Sequence, residues 1–217
     1  MEKSEKTLFF GFDGVIADTL PAVAKIHNEI LRQFGKDPVV TPELIRTHWN
    51  GWEHLYLATY GFSRQELSHA LPLYQDFAIQ ELPAKIFTGM DEVIKKLAAS
   101  HTLVITSSNF SPCIQAVLEE TRLYGFFKSI FGHEELGGLG RSDPRFFHIP
   151  IDTLGLEKEN IVVIGDTAEE VAGAKRAEIP VVACSWGWQD RDSLIEARPD
   201  YLADSPKELL TIMQKKC

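Results

Sequence analysis

The stretch Lys6-Thr-Leu-Phe-Phe-Gly-Phe12, with Asp13-Gly14 directly after it, decides the fold of this 217-residue chain. An apolar, aromatic-rich run that stops at Asp-Gly is typical of a buried strand that ends in a loop. Three further runs of the same kind follow it: His101–Thr106, Asn160–Gly165 and Ile179–Cys184. Their valine and isoleucine residues are not interrupted by polar ones, which indicates strands that are covered on both faces.

Helical segments lie between these runs. There are four such segments, in which apolar residues recur at helical spacing: Met90–Ala99, Ser111–Leu123, Pro144–Leu154 and Ala168–Ala177. Because strand and helix alternate, we predict an α/β fold with a doubly wound, Rossmann-like parallel sheet. An edge strand at Asp200–Asp204 and a last helix, opened by the capping box Ser205–Glu208, are predicted to close the chain.

Residues 19–83 interrupt this alternation. The span has no strand-like run but several amphipathic helical segments: Pro21–Phe34, Pro42–Trp49, Glu53–Tyr60 and Arg64–Glu81, the last with a kink or break at Pro72. A compact sheet would not leave a segment of this length as a loop. We therefore predict two domains, an α/β core from residues 1–18 and 84–217 and an inserted helical domain from residues 19–83.

The composition excludes several classes of function. Lys and Arg number 22 against 31 Asp and Glu, and the resulting net charge of −9 repels nucleic-acid phosphates and anionic lipids. The apolar runs are far shorter than the roughly 20 residues that span a bilayer, and the N-terminus has no apolar signal core. Cys113, Cys184 and Cys217 lack the spacing of a zinc site or a disulfide framework. We expect a cytoplasmic protein with reduced thiols that binds neither nucleic acid nor membranes.

Polar motifs accompany the strands at their carboxyl ends, where open α/β sheets bind ligands. They are Gly11-Phe-Asp-Gly-Val15, Thr106-Ser-Ser-Asn109, Gly140-Arg-Ser-Asp-Pro144 and Gly165-Asp-Thr-Ala-Glu-Glu170. Each motif alone is a weak signal, whereas four in this order form a strong one. In order and spacing the set resembles the haloacid dehalogenase-like hydrolase superfamily, with phosphoglycolate phosphatase-like and β-phosphoglucomutase-like members as the most similar. The helical insert looks like the C1 cap of that superfamily.

The resemblance implies a Mg²⁺-dependent phosphatase of small organic phosphates, with a small phosphorylated metabolite as its ligand. Asp13 would be the acid/base, and Arg141 the cation that offsets negative charge. Thr106 would bind the phosphate, supported by Ser107 and Asn109, and Gly51 would mark a substrate-selecting turn of the cap. The residues that would hold Mg²⁺ are Asp13, Asp166 and Glu170, with Glu170 acting through water or by orienting Arg141.

Each of these residues also has an ordinary structural interpretation. Asp13 could form a turn before Gly14, and Thr106 or Ser107 could cap the next helix. Arg141 could be a surface residue. Asp166 and Glu170 could satisfy the positive end of a helix dipole, and the aromatic residues around Gly51 could belong to a core.

The first motif departs from the family pattern Asp-x-Asp-Gly, because Gly11 stands where the nucleophilic aspartate is expected. Glycine has no side chain that could attack phosphorus. Removal of such a residue typically lowers kcat by on the order of 10⁴ to 10⁶, and the missing carboxylate should also weaken Mg²⁺ binding.

Three hypotheses follow from Gly11. The chain is a phosphatase that is inactive or impaired in this form, a natural pseudophosphatase that binds a phosphorylated ligand or protein partner, or an enzyme with another nucleophile, such as water activated by Asp13. If Gly11 is the only missing piece, Gly11→Asp should restore Mg²⁺-dependent hydrolysis.

Overall fold

One sheet of six parallel strands forms the centre of the α/β unit in the computed structural model, which describes residues 5–81 and 85–216. The strands are β1 Thr7–Phe10, β2 Thr102–Thr106, β3 Phe127–Phe131, β4 Ile161–Gly165, β5 Val181–Cys184 and β6 Tyr201–Ala203. Their order is β3-β2-β1-β4-β5-β6, and every neighbouring pair is parallel. The predicted α/β fold with a doubly wound parallel sheet is confirmed.

The first strand lies in the middle of the sheet, between β2 and β4. Thr7 of β1 pairs with Thr102 on one side and with Ile161 on the other. All four residues of β1 are buried, as expected for an apolar run without polar alternation. The segments that follow β1, β2 and β4 therefore leave the sheet at the same edge.

Helices that follow the strands cover the sheet. They are α5 Met90–Ala98, α6 Ser111–Glu120, α7 Arg145–Leu154, α8 Ala168–Arg176, α9 Arg191–Ala197 and α10 Pro206–Lys216. The apolar residues of α7, α8 and α9 join the strand residues Phe9, Val104 and Val163 in one buried cluster. As predicted, Ser205 opens α10, and its hydroxyl accepts the Glu208 N–H at 3.2 Å.

Two elements of this unit were not predicted from the sequence, β3 and α9. The strand β3 is mostly half-buried and carries Lys128 and Ser129 between its apolar residues, because it lies at an edge of the sheet. Its apolar run is therefore too short to resemble a central strand. The helix α9 has seven residues, too few for a clear helical period.

Residues Thr19–Pro83 form a second compact unit, separate from the unit of Met1–Asp18 and Ala84–Cys217. In the part of this span that the structure describes, every regular element is helical: α1 Leu20–Gln33, α2 Pro42–His48, α3 Trp52–His54 with the π-helical turn Leu55–Thr59 after it, and α4 Arg64–Glu81. Of the predicted kink or break at Pro72, the break is wrong, because α4 continues through this residue. Proline removes one backbone donor and costs about 3 kcal/mol inside a helix, and the packing of α4 along α1 offsets this cost.

Between residues 5 and 216, as far as they are described, no helix is both long and apolar enough to cross a bilayer.

Cys113 and Cys184 are buried free thiols, and Cys217 lies outside the described residues. Burial raises the pKa of both thiols, to about 12 for Cys113, so neither is activated as a nucleophile.

Candidate active site

The segment after β1 makes a tight turn that presents Asp13 at the carboxyl-terminal ends of the strands. The Gly14 N–H donates to the Ala17 carbonyl at 3.0 Å, and the Ile16 N–H donates to the Phe12 carbonyl at the same distance. Gly14 has a φ of +77°, and a Cβ atom built on it would overlap Asp166 Oδ2. Glycine is therefore required here both for the turn and for the close approach of Asp166.

The Asp13 carboxylate is held by the segment that follows β2. Asn109 Nδ2 lies 3.1 Å from each carboxylate oxygen and donates to them, and Ser107 Oγ lies 3.5 Å from Oδ2. The Asn109 N–H in turn donates to Ser107 Oγ at 3.1 Å. Ser107 and Asn109, expected as phosphate ligands, thus orient the predicted acid/base.

Thr106 ends β2 and is fully buried. Its hydroxyl oxygen makes no hydrogen bond to any residue that the structure describes. A buried hydroxyl without a partner costs free energy unless a ligand or water satisfies it. This unsatisfied hydroxyl at the carboxyl end of a strand agrees with the expected role of Thr106 in phosphate binding.

Asp166 follows β4 and is fully buried. Its Oδ2 accepts the Trp188 N–H at 2.7 Å, and a Cβ atom on Gly187 would overlap the same oxygen. The loop of Trp186–Trp188, whose role the sequence does not decide, therefore clamps one side of the Asp166 carboxylate. The other oxygen, Oδ1, has no hydrogen bond within the described residues.

Arg141 is the buried cation of the site, with 4% of its surface exposed. Its Nη1 donates to Glu170 Oε2 at 3.1 Å and lies 3.8 Å from Asp166 Oδ1. Glu170 Oε2 also accepts the Asp166 N–H and the Thr167 hydroxyl, both at 3.2 Å. Of the two roles expected for Glu170, the geometry agrees with the orientation of Arg141.

The charges of this cluster favour a further cation. Asp13, Asp166 and Glu170 are buried carboxylates, and Arg141 is the buried guanidinium among them. Burial and the neighbouring Glu170 charge raise the pKa of Asp166 well above its usual value, although Arg141 opposes the shift. Burial would lower the pKa of Arg141, but the charges of Glu170 and Asp166 outweigh this effect and raise it.

The donor atoms of this cluster decide whether Mg²⁺ fits it. Mg²⁺ prefers oxygen ligands and is often held by one or two carboxylates together with phosphate oxygens and water. Asp166 Oδ1 is a buried carboxylate oxygen that no described residue satisfies, so it fits a first ligand. Across the described ranges there is no group of three or more His, Cys, Asp or Glu side chains that could hold a metal ion. The residues fit an ion that takes one ligand from Asp166 and its other ligands from oxygen donors outside these side chains, such as water.

Gly11 lies directly after β1, and its N–H donates to the Ile164 carbonyl at 2.8 Å. A Cβ atom built here would lie 2.9 Å from Glu170 Oε1 and 3.1 Å from Val15 Cγ2. The first atom of a side chain at the position of the expected nucleophile would therefore be in close contact with the Glu170 carboxylate. Sequence reasoning did not reveal this contact, since the two residues are far apart in the chain.

Gly51 belongs to the helical unit. It precedes α3 and has a φ of +83°, a conformation that favours glycine. The neighbouring Trp52 ring packs edge-on against Tyr56 at 5.5 Å between ring centroids. The turn is thus partly built from packed aromatic rings, and a role of Gly51 in substrate selection stays a prediction.

The sequence model of the haloacid dehalogenase-like hydrolases matches residues 8–184, most of the chain and all four motifs. This chain belongs to the haloacid dehalogenase-like hydrolase family. A phosphoglycolate phosphatase from Synechococcus elongatus is 29% identical over 208 residues, which cover 94% of this chain and 95% of that protein. The pyrophosphatase PpaX from Listeria innocua is 24% identical, with 96% of each chain covered.

Solved structures show the same fold. A predicted phosphatase from Clostridium acetobutylicum superimposes with a TM-score of 0.86 at 20% identity, covering 98% of this chain and all of that one. A predicted phosphoglycolate phosphatase from Haemophilus somnus gives a TM-score of 0.81 at 18% identity, with 99% and 100% coverage. The predicted resemblance to this family, with phosphoglycolate phosphatases among the relatives, is confirmed.

Proposed function

We propose that this family member binds small organic phosphates of the phosphoglycolate or sugar phosphate type, and that Gly11 severely impairs their hydrolysis. The proposal rests on one observation above all: the four motifs meet in one buried network of hydrogen bonds and close contacts at the carboxyl-terminal ends of the strands, in which Gly14 packs against Asp166. In that network Asn109 orients Asp13, Arg141 pairs with Glu170, and Trp188 clamps Asp166.

The residues of the network suit the binding of a phosphate monoester. The unsatisfied Thr106 hydroxyl would donate to a phosphate oxygen, and the buried Arg141 charge would offset the phosphate charge. Asp13, held by Asn109, would give a proton to a leaving alkoxide. Glycine at position 11 offers no side chain, so the attack on phosphorus lacks its usual carboxylate.

Mg²⁺ is the cofactor that this proposal includes, with Asp166 as the protein residue that would hold it. When bound, the ion would neutralise part of the charge that phosphate and carboxylates bring together. Because Gly11 contributes no ligand, we expect weak binding. Titration calorimetry should show that Asp166→Ala weakens Mg²⁺ binding at least tenfold, whereas Asp143→Ala, in an exposed pair with Arg145, leaves it unchanged. Equal affinities in all three proteins would remove Asp166 from the metal site.

The test of the proposal separates binding from turnover. Phosphoglycolate and a panel of sugar phosphates are titrated calorimetrically, and phosphate release is measured with excess Mg²⁺ beside the Synechococcus phosphatase. We expect measurable binding, and turnover on the order of 10⁴ or more below that of an active enzyme. Thr106→Val should weaken binding at least tenfold.

Thr102 provides the matched control, because it lies at the other end of β2 from Thr106. Its hydroxyl donates to the Glu5 carboxylate. Thr102→Val should leave phosphate binding unchanged. Binding without turnover supports the proposal. Turnover equal to that of the active enzyme would contradict the impairment, and the absence of both binding and turnover across the panel would contradict the assignment to small organic phosphates.

A further inference from the structure

The Glu170 carboxylate is anchored through only one of its two oxygens. Oε2 receives hydrogen bonds from Arg141, from the Asp166 N–H and from Thr167, at 3.1 to 3.2 Å. Oε1 is also buried, yet no residue in the described part of the chain donates to it. The side chain is thus fixed in one orientation, with its second oxygen directed at the backbone that follows β1.

Two glycines make room for this carboxylate, Gly11 directly after β1 and Gly165 at the end of the neighbouring strand β4. A Cβ atom on Gly11 would lie 2.9 Å from Glu170 Oε1, and a Cβ atom on Gly165 would lie 2.8 Å from both Cδ and Oε2 of Glu170. A contact below 3.0 Å forces something to move, and the backbone is the stiffer partner because the Gly11 N–H donates to the Ile164 carbonyl. The Glu170 side chain would therefore have to shift, against the three hydrogen bonds that hold its Oε2. Glu170 is therefore packed against bare backbone at both glycines.

We infer that Gly11 and Glu170 form a complementary pair, in which the Glu170 carboxylate occupies the space of a side chain at position 11 and holds Arg141 in place. Glu170 is then a positioning residue that disfavours a carboxylate at position 11. The hydrolytic consequence rests on the proposed function, whereas the packing of the pair does not. An aspartate at position 170 is one methylene shorter and would withdraw its oxygen from Gly11.

This pair changes the outcome expected for a repaired nucleophile. The sequence predicts that Gly11→Asp restores hydrolysis if Gly11 is the only missing piece. In the structure, the new side chain would meet Glu170 Oε1 and bring a second carboxylate against it. Gly11 is therefore not the only missing piece, and restoration requires the simultaneous change G11D/E170D.

The experiment is a double-mutant cycle on the full chain with two measurements, the Tm without Mg²⁺ and the hydrolysis of p-nitrophenyl phosphate with Mg²⁺. Gly11→Ala introduces only the Cβ atom, and its backbone angles suit alanine because Gly11 is not among the positive-φ glycines. We expect Gly11→Ala to lower the Tm by roughly 3 °C or more and to lower it by less than half as much when Glu170→Asp is present. G11D/E170D should hydrolyse the probe at least 100-fold faster than Gly11→Asp alone.

Glu169→Asp is the matched control, because Glu169 is the adjacent residue and its Oε1 faces the Ser142 N–H instead of Gly11. It should relieve neither the Tm loss of Gly11→Ala nor the inactivity of Gly11→Asp. The proposed pairing is contradicted if Gly11→Ala lowers the Tm equally in the presence and in the absence of Glu170→Asp. It is also contradicted if Glu169→Asp restores the Tm of Gly11→Ala or the activity of Gly11→Asp as well as Glu170→Asp does. Coupled Tm values with an inactive G11D/E170D protein would support the packing of the pair and count against the phosphatase chemistry of the proposed function.

Discussion

At the scale of single residues, Arg141 is the cation on which the buried site depends. It neutralises Glu170 at 3.1 Å and lies near Asp166, and all three side chains are almost completely buried. Removal of the charge on one partner of a buried ion pair leaves the other desolvated and uncompensated. The guanidinium therefore supports folding as well as any phosphate that binds.

We predict that Arg141→Met lowers the free energy of unfolding of the α/β unit by about 3 to 5 kcal/mol. Urea unfolding at pH 7, followed by circular dichroism, measures this change. Arg145→Met is the control, because the Arg145–Asp143 pair is exposed and should contribute less than about 1 kcal/mol. Equal losses in the two variants would show that the buried carboxylates do not need Arg141.

At the scale of elements, α8 lies unusually close to the loop that carries Arg141. A Cβ atom on Gly173 would overlap the Arg141 carbonyl oxygen and lie 3.1 Å from the Phe147 ring. Glycine in a helix costs about 1 kcal/mol relative to alanine. The chain accepts this cost because α8 and the loop can approach each other only where no side chain intervenes.

Gly173→Ala should therefore destabilise the protein by more than about 1 kcal/mol, in spite of the better helix propensity of alanine. Gly125→Ala is the matched control, since its Cβ atom would meet nothing within 4 Å and its φ is not positive. That variant should be neutral or slightly more stable. Chemical denaturation of both variants tests the sign, and an increase in stability for Gly173→Ala would contradict the close packing.

At the scale of the whole molecule, the two units carry different titrating groups in their interiors. The α/β unit buries carboxylates with Arg141, whereas the helical unit buries His27 among the rings of Tyr56, Tyr60 and Tyr74. The Tyr60 hydroxyl lies 2.9 Å from His27 Nδ1. Burial lowers the pKa of His27 from 6.5 to about 3, so the folded helical unit contains a neutral imidazole at neutral pH.

This shift predicts the response of the helical unit to acid. The contribution of neutral His27 to stability is fully present above pH 6.5 and is lost as the pH falls toward 3, because the unfolded chain takes up the proton first. The loss should approach about 1.4 kcal/mol per pH unit between these values. His27→Phe should flatten this dependence in urea unfolding at pH 4 to 7, whereas His69→Phe, at an exposed position of α4, should not. An unchanged slope in His27→Phe would contradict the neutral buried histidine.

Much of the fold could be predicted because the sequence patterns are local. The apolar runs of β1, β2, β4 and β5 report their burial directly, and the helical periodicity of Leu20–Gln33 reports its apolar face. The order of the motifs along the chain predicts that Asp13, Thr106 and Asp166 lie at strand ends. The sequence also shows by itself that position 11 has no nucleophile.

Only the tertiary structure decided which of these residues contact and orient one another. Three contacts join segments that follow different strands. Asn109 orients Asp13, Trp188 clamps Asp166, and Glu170 packs beside Gly11. Such contacts depend on strand order and on the position of each side chain to within an ångström. Periodicity along the chain contains neither quantity, because it reports only whether a residue is buried and on which side of its own element.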